Sequence, residues 1–128
     1  ILNVGSMAGF SAGPKLSSYY ASKNYVVRLT EAIHEELRRK NSKVKISVLC
    51  PGPVNTNFNN AANVRFSVKG LSPRDVAAYA LQQTEKGKPV IIPGTLMKLT
   101  KFFSRFLSEK ALTRVSYNIQ SAKDGRKS

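Results

Sequence analysis

Three short apolar runs, Ile1–Val4, Val44–Leu49 and Val90–Ile92, recur at intervals of about 40 residues, which is too far apart for hairpin partners. Helical periodicity fills the gaps, and strand–helix–strand–helix–strand is the pattern of an α/β chain with a parallel sheet and crossover helices. Gly5 to Leu16 reads as a loop broken by Gly5, Gly9, Gly13 and Pro14. The next helix is predicted to start at Ser17 or Ser18, either of which suits a cap, and to run to about Lys40. Its apolar stripe is Val26, Val27, Leu29, Ile33 and Leu37, with Glu31, Glu35, Glu36, Arg38 and Arg39 on the wetter side and Asn41-Ser42 as its end. Pro51-Gly52-Pro53 stops the second strand. Val54 to Gly70 is polar and Asn-rich, a loop with some helix. Ser72-Pro73 pairs a cap with proline at the first helical position, opening a helix to about Glu85. Gly87-Lys88-Pro89 is a turn, Leu96 to about Tyr117 is helical and basic, and the polar residues 121–128 are expected to be a disordered tail.

The 128 residues make one domain or less, and 41% hydrophobic residues suffice for a core. Ile1 already lies in a strand-like run, with no initiator Met or targeting segment before it, so the chain is expected to start in mid-domain. The single cysteine, Cys50, excludes an internal disulfide and fits a reducing, cytoplasmic setting. No apolar run approaches the ~20 residues of a membrane span. A net charge of +14, from 21 basic against 7 acidic residues, invites a nucleic-acid or membrane-surface reading. The basic residues are scattered, however, without a stacked aromatic platform, which argues against specific nucleic-acid binding. One histidine and one cysteine make a zinc site untenable, and His34 reads as a surface or interface residue.

The candidate chemistry sits at the C-terminal ends of strands, where open α/β sheets bind ligands. Ser6 follows the first strand, Tyr19 and Lys23 open the long helix, and Pro51-Gly52-Pro53-Val54-Asn55-Thr56 follows the second strand. Residues i and i+4 share a helix face, so Lys23 is placed to bring its ammonium to the Tyr19 hydroxyl or to a ligand beside it. A cation about 4 Å from a phenolate stabilises it by roughly 4 kcal/mol at an effective dielectric of 20. Desolvation takes part of that back; the remainder moves a tyrosine toward general acid/base use. Ser6 is placed to hydrogen-bond a substrate oxygen and hold developing charge. Tyr20 has Asn24, not lysine, four residues on and reads as packing or substrate wall.

A Tyr-x-x-x-Lys spacing alone is a weak signal. Together, Asn3-Val4-Gly5-Ser6-Met7-Ala8-Gly9, Tyr19-Tyr20-Ala21-Ser22-Lys23 and Pro51-Gly52-Pro53-Val54-Asn55-Thr56 closely resemble the C-terminal half of the short-chain dehydrogenase/reductase family, over at least Ile1 to Ile92. The resemblance implies a partial Rossmann-like, doubly wound parallel sheet in residues 1–95, holding its last three strands. It implies an oxidoreductase that moves a hydride between NAD or NADP and a small carbonyl/alcohol substrate. Tyr19 would be the acid/base, Lys23 its activator and a ribose ligand, and Ser6 the substrate-orienting hydroxyl. Pro51, Gly52, Val54 and Thr56 would line the nicotinamide, and the whole protein would be a homo-oligomer with the Tyr19–Lys40 helix as a contact. No Gly-x-x-x-Gly-x-Gly lies between a strand and a helix here, so these residues alone are expected to be inactive.

Residues 96–120 form a separate basic amphipathic segment, with Leu96, Met97, Leu99, Phe102, Phe103, Phe106 and Leu107 at helical spacing and Lys98, Lys101 and Arg105 on or beside the opposite face. Three readings stay open: a cover over the substrate cleft, an edge helix or subunit contact, and peripheral contact of 96–107 with an anionic membrane. With Ala32-Ile33-His34-Glu35-Glu36-Leu37, this segment is most similar to the bacterial DltE-like group and has some likeness to 3-ketoacyl reductases, which implies a lipophilic carbonyl substrate. The second functional class is a basic binding module for an anionic membrane surface or nucleic acid.

Overall fold

A computed structural model of the chain describes residues 1–54 and 70–124, with side chains through residue 121. The elements are β1 (Leu2–Val4), a 3-10 turn (Met7–Phe10), α1 (Ser17–Arg39), β2 (Ser47–Leu49), α2 (Pro73–Glu85), β3 (Val90–Ile91), α3 (Thr95–Ser104) and α4 (Glu109–Asp124). The sheet is parallel in the order β1-β2-β3, with Leu2 opposite Ser47 and Val48 opposite Val90.

β2 lies at the centre and is covered on both faces. Side chains alternate along a strand. Val48 and Cys50 meet Val27 of α1, with Phe10, Val26, Val90 and Ile92 around them. Leu49 points the other way, against Val76 and Ala80 of α2 and Ile91 of β3. Burying each such aliphatic side chain contributes about 2 kcal/mol. Ser47, buried in the same strand, donates its hydroxyl to the Lys88 carbonyl at 2.7 Å. β1 is at the edge of the sheet among the described residues, and Val4, with Ile1 just before the strand, is more than half exposed.

α1 follows the expected apolar stripe at Val26, Val27, Ile33 and Leu37, which are buried or half-buried, and departs from it at Leu29. Val27 and Thr30 are buried, but Leu29 is exposed, as is Tyr25. The inward face also carries polar groups, which find partners on the sheet and its loops. Thr30 accepts from the Asn3 amide at 2.9 Å and donates to the Val26 carbonyl, and His34 Nδ1 donates to the Ile46 carbonyl at 3.1 Å. Neither serine caps the helix. Leu16 holds that position without a side-chain bond, after Lys15 at a φ of 69°. The other end closes as expected at Asn41: its φ is 50°, its N–H donates to the Arg38 carbonyl, and the Ser42 N–H donates to that of Leu37. That is the paired closure of a Schellman motif.

Three further expectations change. β2 starts at Ser47 rather than Val44, because Val44 and Lys45 stay exposed outside the ladder. The basic segment is two helices, because Ser108 accepts the Ala111 N–H at 3.2 Å and starts a new one. That second helix continues to Asp124, into residues expected to be tail. Most of Val54–Gly70 lies outside the described residues, and its ends meet in a parallel bridge between Val54 and Leu71.

Candidate active site

Two loops leave the sheet side by side and are tied together. The Gly5 N–H donates to the Leu49 carbonyl at 2.8 Å, and the Met7 N–H donates to the Pro51 carbonyl at 3.1 Å. The segment bearing Ser6 and the segment bearing Pro51 and Gly52 are therefore fixed to each other by backbone. Ser6 caps the 3-10 turn, its Oγ accepting the Ala8 N–H at 3.1 Å. The hydroxyl hydrogen is left for another acceptor.

α1 is then clamped to that turn. A Cβ on Gly9 would come within 2.5 Å of Val27 Cγ2 and 2.9 Å of the Lys23 carbonyl oxygen, so only glycine permits this approach. The Asn24 amide donates to the carbonyls of Ala8 at 3.1 Å, Ser11 at 2.9 Å and Tyr20 at 2.9 Å. An NH₂ group has two hydrogens, so one of them is shared between carbonyls. Asn24 is a positioning residue that sequence reasoning missed.

Lys23 extends to the end of β1 and donates from Nζ to the Val4 carbonyl at 3.2 Å. The same nitrogen lies 5.8 Å from the centre of the Tyr19 ring. Tyr19 is half-buried and stands edge-on to Tyr20, with centroids 6.1 Å apart at 77°. Lys23 thus belongs to the Tyr19 neighbourhood while its ammonium is anchored on the sheet. Val54 forms its bridge to Leu71, and Gly52 faces Met97 of α3, whose Sδ would lie 2.6 Å from a Cβ at that position. Asn55 and Thr56 lie outside the described residues.

The two C-terminal helices reach back over these loops. Besides Met97 at Gly52, Lys101 lies over the Phe10 ring at 4.2 Å, and the buried Gln120 donates to the Tyr20 hydroxyl at 3.2 Å. Desolvation, with the charge of Arg28, lowers the Lys101 pKa. Lys101 therefore points inward, not to the outer face as its spacing implied. A surface cleft of about 500 Å³ runs beside the clamp, lined in part by Phe10, Gly13, Tyr20, Asn24 and Arg28. Tyr19 and Lys23 are not among its walls. Cys50, behind the Ser6 loop, is fully buried, and desolvation pushes its thiol up to about 12. It is no nucleophile there. Among the described residues no helix is long and apolar enough to cross a membrane.

The family model described as short chain dehydrogenase matches residues 1–65. A CLA biosynthesis dehydrogenase/reductase from Lactiplantibacillus plantarum is 43% identical over 65 residues, 51% of this chain and 23% of that protein. A short-chain dehydrogenase from Burkholderia cenocepacia J2315, solved in complex with NADP, superposes with a TM-score of 0.67 at 26% identity, covering 82% of this chain and 42% of that one. One from Burkholderia phymatum, solved in complex with NAD, gives 0.65 at 27%, covering 78% and 44%. The chain spans less than half the length of each of these three. The parallel sheet with helices on both faces is the Rossmann-type arrangement of those solved structures. A family match over half the chain, together with that fold, places this chain in the short-chain dehydrogenase family of oxidoreductases.

Proposed function

We propose that this chain is the catalytic part of an NAD(P)-dependent oxidoreductase for a carbonyl/alcohol pair, with Tyr19 as acid/base, Lys23 as its activator and Ser6 as substrate-orienting hydroxyl. The observation that carries the reading is the Lys23 ammonium at the C-terminal end of β1, on the Val4 carbonyl, one helical turn from Tyr19 and beside the Ser6 loop. That edge is where open α/β sheets hold nucleotides.

The residues present fit a nicotinamide cofactor. Lys23 supplies a cation, and Pro51–Gly52 supplies backbone that no side chain could share with Met97. Tyr19, Lys23, Pro51, Gly52 and Val54 would hold it, with Thr56 beyond the described residues. Solved relatives with NADP and with NAD favour this cofactor class without choosing between the two. When bound, the cofactor supplies or accepts the hydride. In reduction, the Tyr19 hydroxyl gives its proton to the carbonyl oxygen; in oxidation, the Tyr19 oxygen takes the alcohol proton. The Lys23 ammonium offsets the negative charge left on the Tyr19 oxygen as its proton is transferred. The Ser6 hydroxyl donates to the substrate oxygen and holds it still. Met97 of α3, packed against Gly52, favours a lipophilic substrate, and the exposed Tyr25 and Leu29 of α1 favour a homo-oligomer contact.

In the full-length enzyme, Tyr19→Phe is expected to lower kcat by about 100-fold or more while leaving cofactor affinity intact. Residual turnover above about 5% would sink the acid/base assignment. The 128 residues by themselves are expected not to bind NAD(P)H; tight binding in calorimetry would overturn that part of the reading.

A further inference from the structure

We infer that α3 and the turn after it form a peripheral docking surface for an anionic lipid bilayer. An amphipathic helix of a globular domain normally turns its apolar stripe inward. α3 does the reverse. Its inward positions are Met97, Lys101 and Ser104, which are partly covered, whereas Leu96, Leu99, Phe102, Phe103 and Phe106 are all more than half exposed. At 100° per residue those five fall within an arc of about 120°, the width of a single apolar face. Phe103 and Phe106 reach 62% and 74% exposure. The phenyl rings pack on one another, the centroid of Phe102 lying 5.5 Å from that of Phe103 and 5.6 Å from that of Phe106.

Charge selects the occupant. Lys98 and Arg105 lie together on one flank of the arc, and the segment from Thr95 to Ser108 holds no acidic residue. Lys98 donates to the Tyr79 hydroxyl at 3.0 Å rather than to a carboxylate, so its charge is not cancelled. Lys110 and Arg114 follow, both exposed, on a chain of net charge +14. A second copy would set these cations against their own likes. A nucleic acid would meet bare phenyl groups at the centre of the surface, where it needs cations. An anionic bilayer satisfies both parts, taking the apolar face at the acyl boundary and the cations among its headgroups.

The test is co-sedimentation of the full-length protein with vesicles of phosphatidylcholine alone and with roughly 30% phosphatidylglycerol added. Binding is expected to the anionic vesicles, weakening between about 0.1 M and about 0.5 M salt. Lys98→Gln with Arg105→Gln should weaken it roughly 20-fold. Phe103→Ser with Phe106→Ser should weaken it at least about tenfold with an unchanged thermal melt, since neither ring supports the domain. Equal binding to neutral vesicles, or binding untouched by the Phe pair, overturns the proposal. So does a Phe pair that instead changes the sedimentation coefficient, which would make a second copy the occupant, or displacement of the protein from vesicles by an oligonucleotide at the Phe surface.

Discussion

α1 and α3 are both amphipathic, and both turn polar side chains toward the domain, yet they do so to different ends. In α1, Val26 and Val27 pack into the core, and Lys23, Asn24, Thr30 and His34 beside them each reach a named partner on the sheet or its loops, so the inward face holds by both means. In α3, one flank touches Gly52 and Phe10 through Met97 and Lys101, and the apolar face is left outside. The difference teaches that an amphipathic pattern fixes that a helix has two faces but not which one meets the core. Available partners decide that: Val4, Ala8, Ser11 and Ile46 offer carbonyls, and Asn3 its amide, to the inward polar groups of α1.

The sharpest way to break this contrast is at Gly9. Gly9→Ala forces a Cβ into Val27 and the Lys23 carbonyl, and is expected to cost about 2–3 kcal/mol and to lower kcat, because Ser6 and Tyr19 are positioned through that contact. Paired thermal melts and turnover measurements check it; a stable, fully active Gly9→Ala would show that the two elements are free to separate. Asn24→Leu comes next. It strands the carbonyls of Ala8 and Ser11, for an expected loss of about 1–3 kcal/mol by denaturant unfolding. On the other side of the comparison, Phe103→Ser with Phe106→Ser should stay within about 0.5 kcal/mol of the parent in the same unfolding experiment. A larger loss would mean that the Phe face supports the fold after all.

Sequence periodicity located the three strands, α1 and α2 to within a few residues, because β-branched runs, Pro73 and Asn41 act locally. It misassigned Leu29 for the reason the comparison exposes. Polar residues count as outward in a pattern, and only the folded chain shows Thr30 buried against Asn3 and His34 bonded to the Ile46 carbonyl. The break before α4 was legible in Ser108-Glu109, a cap followed by an acidic first turn, but the continuous apolar spacing outweighed it. At the candidate site, the order Ser6, Tyr19, Lys23, Pro51 was readable as spacing. Asn24, Gly9 and Met97 were not, because their roles consist of contacts across 13 to 45 residues of chain: Asn24 with Ser11, Gly9 with Val27, and Met97 with Gly52.

The smallest expected effect is on the outer side of α1. Hydrogen bonds from Arg38 and Arg39 hold the Glu35 carboxyl at about 2, below its ordinary 4.5. A depressed carboxylate contributes stability that is present above the unfolded value and lost as pH falls through the folded one. Glu35→Gln should therefore flatten the stability profile slightly between about pH 4.5 and about pH 2 and change nothing near neutrality. Glu35 and both arginines lie at the surface, so solvent screening keeps the effect small.

Cys50 gives the chain an internal stopwatch. Its thiol is sealed between the central strand and α1, and its high pKa keeps it protonated at neutral pH. Alkylating reagents attack thiolate in contact with solvent. Labelling at Cys50 therefore counts how often the centre of the sheet comes open, and no second cysteine blurs the reading. A ligand that grips the Ser6 and Pro51 loops would slow that clock without absorbing light or turning over.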